Sequence, residues 1–298
     1  MTALPARWHD DEDDGDHELN ELTRRDRRRA RRLGQAQARE QRWQRHRLAV
    51  PYRTDGPKVT FGVIWFGLVL GAVTISPLWV AIVVSIVAGL AGLQTGYAWF
   101  PNVLTTCWWT ALAAFVGAIG GFLGPVGIIT GIGLAIAVLA VYLIANPAIQ
   151  RKPLELTDVL VRSSLPVAIA AASIAAMAEF GTGAAIALIT LVSAYEVGDF
   201  LVGSGSSNAV EGPISGLVSL GVALFILWIV APAPFTSSSV LLFGALVGVC
   251  CPLGQILGSA LLPRGNAWAP ALRRLDSYLL SGPLWLLLLH SAPTTTTL

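Results

Sequence analysis

From Val59 onward the chain is a succession of apolar runs of about twenty residues, parted by short breaks rich in Pro, Gly and Asn. A helix needs about 20 consecutive apolar residues to cross the hydrocarbon layer of a bilayer. Nine segments meet that length approximately, at 59–76, 78–96, 103–123, 125–146, 160–179, 182–202, 213–231, 238–262 and 275–291. Their breaks are Ser76-Pro77, Phe100-Pro101-Asn102, Gly124-Pro125, Asn146-Pro147 and Ala231-Pro232-Ala233-Pro234, with charged loops between the rest. The pattern predicts an all-α, polytopic integral membrane protein of about nine transmembrane helices over residues 58–292, closed by a short tail at 293–298.

Composition agrees with that pattern and narrows it. Of the 298 residues 54% are hydrophobic and 13% charged, and the mean hydropathy of +0.64 excludes an ordinary soluble enzyme. The net charge of +2 conceals a segregation, because fourteen of the 20 Lys and Arg lie in the first 58 residues. There an acidic run (Asp10, Asp11, Glu12, Asp13, Asp14, Asp16, Glu18, Glu21) precedes an arginine-dense run from Arg24 to Arg47. Blocks of opposite charge stay solvated, so residues 1–57 read as a disordered cytoplasmic tail whose arginines enforce orientation. A second reading lays the basic half, with Leu33, Trp43 and Leu48, on anionic headgroups, each basic residue contributing about 1 kcal/mol. A nucleic-acid partner is not expected of a short arginine block joined to a membrane domain.

Basic loops stay in the cytoplasm. With the tail inside and nine crossings, the inside loops near 147–159 and 263–274 hold Arg151, Lys152, Arg264, Arg273 and Arg274, with Arg162 just within the fifth helix. These six are all the Lys and Arg after Lys58, and the outside loops contain none. The expected location is the cell membrane, multi-pass, with the N-terminus cytoplasmic. The polar start carries no short apolar stretch with a cleavage site, so the first membrane helix is expected to act as the targeting signal. Trp99, Trp108 and Trp109 fall where interfacial anchors are expected.

Several chemistries drop out. Cys107, Cys250 and Cys251 all lie in apolar stretches and form no disulfide framework, and His9, His17, His46 and His290 are scattered. There is no CxxC, no HExxH and no phosphate loop with its lysine, which disfavours a zinc site and an ATP-driven pump. Gly117, Gly120, Gly121, Gly124, Gly127, Gly131 and Gly133 carry the small-residue spacing of closely packed membrane helices.

The apolar domain contains seven acids: Glu155, Asp158, Glu179, Glu196, Asp199, Glu211 and Asp276. Ionisable groups within membrane segments are costly and usually functional. Glu155 and Asp158 share an inside loop with basic residues, and Glu179 sits at an outside helix end. The other four converge on the cytoplasmic side. Glu196 and Asp199 are three residues apart on one face of the sixth helix, Glu211 opens the seventh and Asp276 the ninth. Between the sixth and seventh runs Gly203-Ser204-Gly205-Ser206-Ser207-Asn208, whose amides suit an anion, although a flexible connector has the same composition. Acids beside this loop and Arg264, Arg273 and Arg274 suit a magnesium-phosphate ligand. Plainer roles stand beside this one: Asp276 as a helix cap paired with Arg273, and Glu211 as a first-turn acid.

Four blocks carry a resemblance: Tyr195-Glu196-Val197-Gly198-Asp199-Phe200-Leu201-Val202-Gly203; Asn208-Ala209-Val210-Glu211-Gly212-Pro213-Ile214-Ser215-Gly216; Gly254-Gln255-Ile256-Leu257-Gly258-Ser259-Ala260-Leu261; and Arg273-Arg274-Leu275-Asp276-Ser277. In this order, over residues 190–283, they resemble the CDP-diacylglycerol synthase (phosphatidate cytidylyltransferase) family. The resemblance implies a polar cavity facing the cytoplasm in which CTP and phosphatidic acid are joined with the help of Mg2+, and it implies a homodimer. Taken with the convergence of acids and arginines, it gives a reading in which Glu196, Asp199 and Asp276 serve catalysis and the metal, and Asn208, Glu211, Ser259, Arg264 and Arg274 the substrate.

The chain also departs from the family's blocks. Gln255 stands at an acid, Gly258 at a glutamate, Asn208 at a lysine, Leu262-Pro263 at a Lys-Arg pair and Arg273 at the first aspartate of an Asp-Arg pair. The stretch from Ser259 to Asp276 is shorter, without the family's Lys-Asp and His-Gly-Gly elements. Three expectations therefore compete: a divergent cytidylyltransferase, a catalytically degenerate relative that binds lipid or a partner, and a cation-coupled transporter, for which acids should line a path to both membrane faces.

Overall fold

In the computed structural model, residues 58–146, 153–204, 206 and 210–291 are described; the tail, Arg151, Lys152, Asn208 and 292–298 fall outside them. The described residues are helical, with no strand among them. In chain order the helices are α1 (Lys58–Ile75), α2 (Pro77–Trp99), α3 (Leu104–Ile119), α4 (Gly124–Ala145), α5 (Pro153–Ala176), α6 (Thr182–Gly203), α7 (Glu211–Val230), α8 (Ser237–Ala260), a single turn α9 (Leu272–Leu275) and α10 (Tyr278–Ser291). Turns of 3-10 helix cover Gly120–Leu123 and Met177–Phe180.

Leaving the single turn aside, each helix coincides with one apolar segment of the sequence. By length and composition six helical runs can cross a membrane: Pro77–Trp99, Leu104–Ala145, Leu154–Ala176, Thr182–Gly203, Glu211–Val230 and Ser237–Ala260. The outward faces are apolar as well. On α7 a stripe of Ile214, Val218, Val222, Phe225 and Ile229 is exposed, a surface that water would not tolerate and lipid requires.

The 42-residue run Leu104–Ala145 is two helices rather than one. At Gly124 the backbone takes φ +68°, which only glycine adopts without strain, and the chain reverses there. Gly120 and Gly117 then lie against Gly127 and Gly131 of the returning helix, backbone to backbone. Pro125, in the first turn of α4, has no amide hydrogen to lose at a helix start.

Glycine and alanine set the remaining contacts. Gly92 and Gly96 of α2 meet Thr110 and Cys107 of α3, running antiparallel, and Thr110 Oγ1 donates to Gly92 O at 3.0 Å. Gly117 of α3 and Gly121 of the 3-10 turn that follows it meet Ala168 and Ala172 of α5 in parallel. Gly198 and Gly216 let α6 and α7 close on Ser219 and Tyr195. At one end of the bundle Phe235, Phe243 and Trp285 pack edge to face, with centroids 4.5–5.7 Å apart, tying α8 to α10. The capping box of Thr236 and Ser239 starts α8 at that same end.

The opposite end gathers residues distant in sequence. Trp99 Nε1 donates to Leu261 O at 2.8 Å, Arg162 stacks over the Trp99 ring, and Ala271 N donates to Gln94 Oε1 at 2.8 Å. Helix α5 begins at Pro153, earlier than the apolar run at 160 suggests. Asp158 and Arg162 therefore pair across one helical turn, at 2.7 Å, instead of lying in a loop.

Candidate functional site

Helices α6 and α8 and the turn between α9 and α10 bring polar side chains together near this second end. Asp199, four residues before the end of α6, is buried. Its Oδ2 accepts a hydrogen bond of 3.0 Å from Gln255 Nε2 of α8. Asp276 follows the single turn α9, where its Oδ1 accepts from the Ser277 amide at 2.7 Å. Asp199, Asp276 and Gln255 are each at least 94% buried.

Two glycines make that approach possible. A Cβ on Gly258 would stand 2.6 Å from the Cβ of Asp276, and one on Gly254 would strike the Asp276 carbonyl oxygen. The glycine at 258 is thus explained by packing: the turn holding Asp276 lies directly on α8 and leaves no volume for a longer side chain.

Arg273 joins the pieces. Its Nη1 donates to Ser259 Oγ at 2.9 Å and to Asp276 Oδ2 at 3.4 Å, and its Nη2 donates to Gly265 O at 2.7 Å. Ser259 Oγ passes its own hydrogen to Gln255 O at 3.1 Å. One guanidinium therefore spans α8, the loop after it and the turn before α10. Ser277, fully buried, accepts through its carbonyl from Ser281 Oγ at 2.7 Å, which anchors the start of α10.

Glu196, one helical turn before Asp199, comes alongside Ser277 and feels the charges of Asp276, Arg274 and Asp199. Arg274 reaches toward α1, where its Nη1 lies 3.3 Å from the position a Cβ on Gly62 would take. Glu196, Asp199, Ser259, Arg274 and Asp276 are thus placed in one neighbourhood. Two further candidates stand apart from it: Arg264 is exposed in the loop after α8, and Glu211 is exposed at the start of α7, where its Oε2 accepts from Ser206 Oγ at 2.6 Å. Asn208 lies outside the described residues.

The residues that organise the cluster are Arg273, whose pairing with Asp276 the sequence offered as a plainer role, and Gln255, which the sequence marks only as a departure from a family pattern. Their signal was local. A polar Gln flanked by Gly254 and Gly258 on an apolar helix announces a face on which something packs closely.

The donor set speaks to a divalent ion. Magnesium asks for oxygen ligands converging in near-octahedral geometry. Here Asp199 is engaged by an amide and Asp276 by a guanidinium and a backbone N–H. Among the described residues no group of three acidic, His or Cys side chains is arranged to hold a metal ion. As it stands the arrangement does not fit Mg2+, since the Asp199 and Asp276 carboxylates are engaged by Gln255, Arg273 and the Ser277 amide.

Searches with this chain found no matching family model, no matching curated protein and no matching solved structure.

Proposed function

We propose that this chain is a nine-span protein of the cell membrane, its charged tail cytoplasmic, and that it is a non-catalytic relative of the CDP-diacylglycerol synthases that binds phospholipid. The observation that carries the reading is the engagement of Asp199 by Gln255 and of Asp276 by Arg273. Nucleotidyl transfer with a metal depends on carboxylates presented to the ion and on cations presented to phosphate oxygens. In this chain Asp276 is paired with Arg273, and an oxygen of Asp199 is taken by the Gln255 amide. The small-residue core and the apolar outer faces remain suited to residence among lipids.

The assay that tests this reading joins CTP, phosphatidic acid and Mg2+ with the purified full-length protein. Pyrophosphate release is expected to equal that of D276A, with no Mg2+-dependent CTP affinity, while mass spectrometry of the purified protein finds bound phospholipid. Release above the D276A level would restore the first expectation, a divergent cytidylyltransferase acting on CTP and phosphatidic acid.

Orientation has its own support. Among the described residues Arg162, Arg264, Arg273 and Arg274 all belong to the end where α2, α6 and α8 finish, and the opposite turns carry no basic residue. Cys107, Cys250 and Cys251 are buried, so an added cysteine reports alone. With a membrane-impermeant maleimide on intact cells, S238C, in the first turn of α8, is expected to label and R264C to label only after lysis. The reverse pattern would invert the topology.

A further inference from the structure

A buried group of carboxylates needs a counter-charge, and the chain supplies one from its own sequence. Asp199 and Asp276 are buried, with Glu196 in their field, at a depth where unpaired charge is costly. A divalent cation is one way to meet that cost. The geometry here uses another, because the guanidinium of Arg273 sits between the Asp276 carboxylate, the Ser259 hydroxyl and the Gly265 carbonyl, all oxygen acceptors. Three oxygens from three segments, gathered around one positive group, form the arrangement a small metal ion would otherwise organise.

We infer that Arg273 is the resident cation of this cluster: its guanidinium holds the place among Asp276, Ser259 and Gly265 that a divalent ion would hold. Three features support this beyond the ion pair. Gln255 meets Asp199 with an amide N–H, which satisfies an oxygen that would otherwise be available as a ligand. Gly258, tight against Asp276, leaves no room beside it for a further carboxylate. The arginine also does what a metal does mechanically, pinning the loop after α8 to the turn before α10. An arginine is a planar donor and cannot accept. The cluster is therefore a fixed electrostatic latch, and it cannot exchange its cation for a nucleotide-bound one.

The inference rests on the reading that this cluster is not a metal-assisted catalytic centre, and its test uses no substrate. Mn2+ is titrated into the purified full-length protein in detergent, and uptake is followed by loss of the free-ion electron paramagnetic resonance signal. Each chain is compared with the same chain carrying D276N, which subtracts binding by the acidic tail. The wild type is expected to show no difference from D276N. Replacing the resident cation with a carboxylate, R273D, should create a site that takes up roughly one Mn2+ per chain beyond its D276N counterpart. If R273D does not purify as a monodisperse species, R273Q is titrated in its place under the same expectation.

Mn2+ uptake by the wild type that D276N abolishes would overturn the inference, as would a monodisperse R273D, or R273Q in its place, with no gain. The outcomes separate the two claims. Pyrophosphate release without Mn2+ uptake sinks the proposed function and leaves Arg273 as the resident cation. Uptake without turnover does the reverse.

Discussion

Replacing Arg273 by methionine is expected to cost about 3–5 kcal/mol of stability, because it keeps most of the side-chain volume and leaves the buried Asp276 carboxylate without its cation. The loss should appear as a drop of many degrees in the temperature at which the detergent-purified protein leaves the monodisperse state. The informative comparison is the double variant R273M/D276N. Asparagine retains an acceptor for the Ser277 amide while removing the charge. If uncompensated charge is the main cost, the double variant recovers most of what R273M loses, and the two effects are strongly non-additive. If it recovers nothing, the arginine acts mainly through its hydrogen bonds to Gly265 and Ser259. Those neutral-acceptor bonds would contribute about 1.5–3 kcal/mol each, since the donor is charged.

A comparably large effect is expected at Gly121. A side chain there meets the backbone of Ala172, its carbonyl oxygen, carbon and Cα together, so there is no flexible group to move aside. G121L must push α3 away from α5 or undo the 3-10 turn, at a cost of about 3 kcal/mol or more. In a bundle held by close backbone approach, that separation also weakens the neighbouring contacts Gly117–Ala168 and Gly120–Gly127. The control is G133L on the adjacent helix, where nothing lies within 4 Å of the added Cβ. It is expected to purify like the wild type, with a slightly better helix former on a face open to lipid. Equal behaviour of the two variants in size-exclusion and thermal scans would refute the packing described for α3 and α5.

The helices were legible because membrane-length apolarity is a local signal, one that each segment carries by itself. Pro77, Pro125 and the Ala231–Pro234 stretch mark ends that the structure keeps. Helix α5 starts earlier than its apolar run because Glu155 and Asp158, which read as loop, form a polar first turn that continues the helix with the i,i+4 pair of Asp158 and Arg162. Of the four acids expected to converge, Glu196, Asp199 and Asp276 do so, whereas Glu211 stays exposed at the start of α7 beside Ser206. The Asp276–Arg273 pair was readable as well, from its three-residue spacing, but the other partners were not. Gln255 reaches Asp199 across 56 residues, and Arg273 selects Ser259 and Gly265 only once α9 has folded onto α8. Those choices are set by the crossing of helices and by the space that Gly254 and Gly258 leave, quantities that no single segment contains.

The final helix is short, and its length fixes how deep the polar cluster lies. At 1.5 Å per residue the 14 residues of α10 extend about 21 Å, against a hydrocarbon layer of about 30 Å. In the proposed nine-span topology, with the far end of α10 at the outer boundary, the turn bearing Asp276 and Ser277 would lie about 9 Å beneath the inner one. Helix α6 agrees, since Asp199 and Glu196 stand four and seven residues before its end, about 6 and 10 Å below it. In that topology the inner leaflet over the cluster would sag toward these charges or admit a plug of water, and such a local thinning would make the protein sensitive to acyl-chain length.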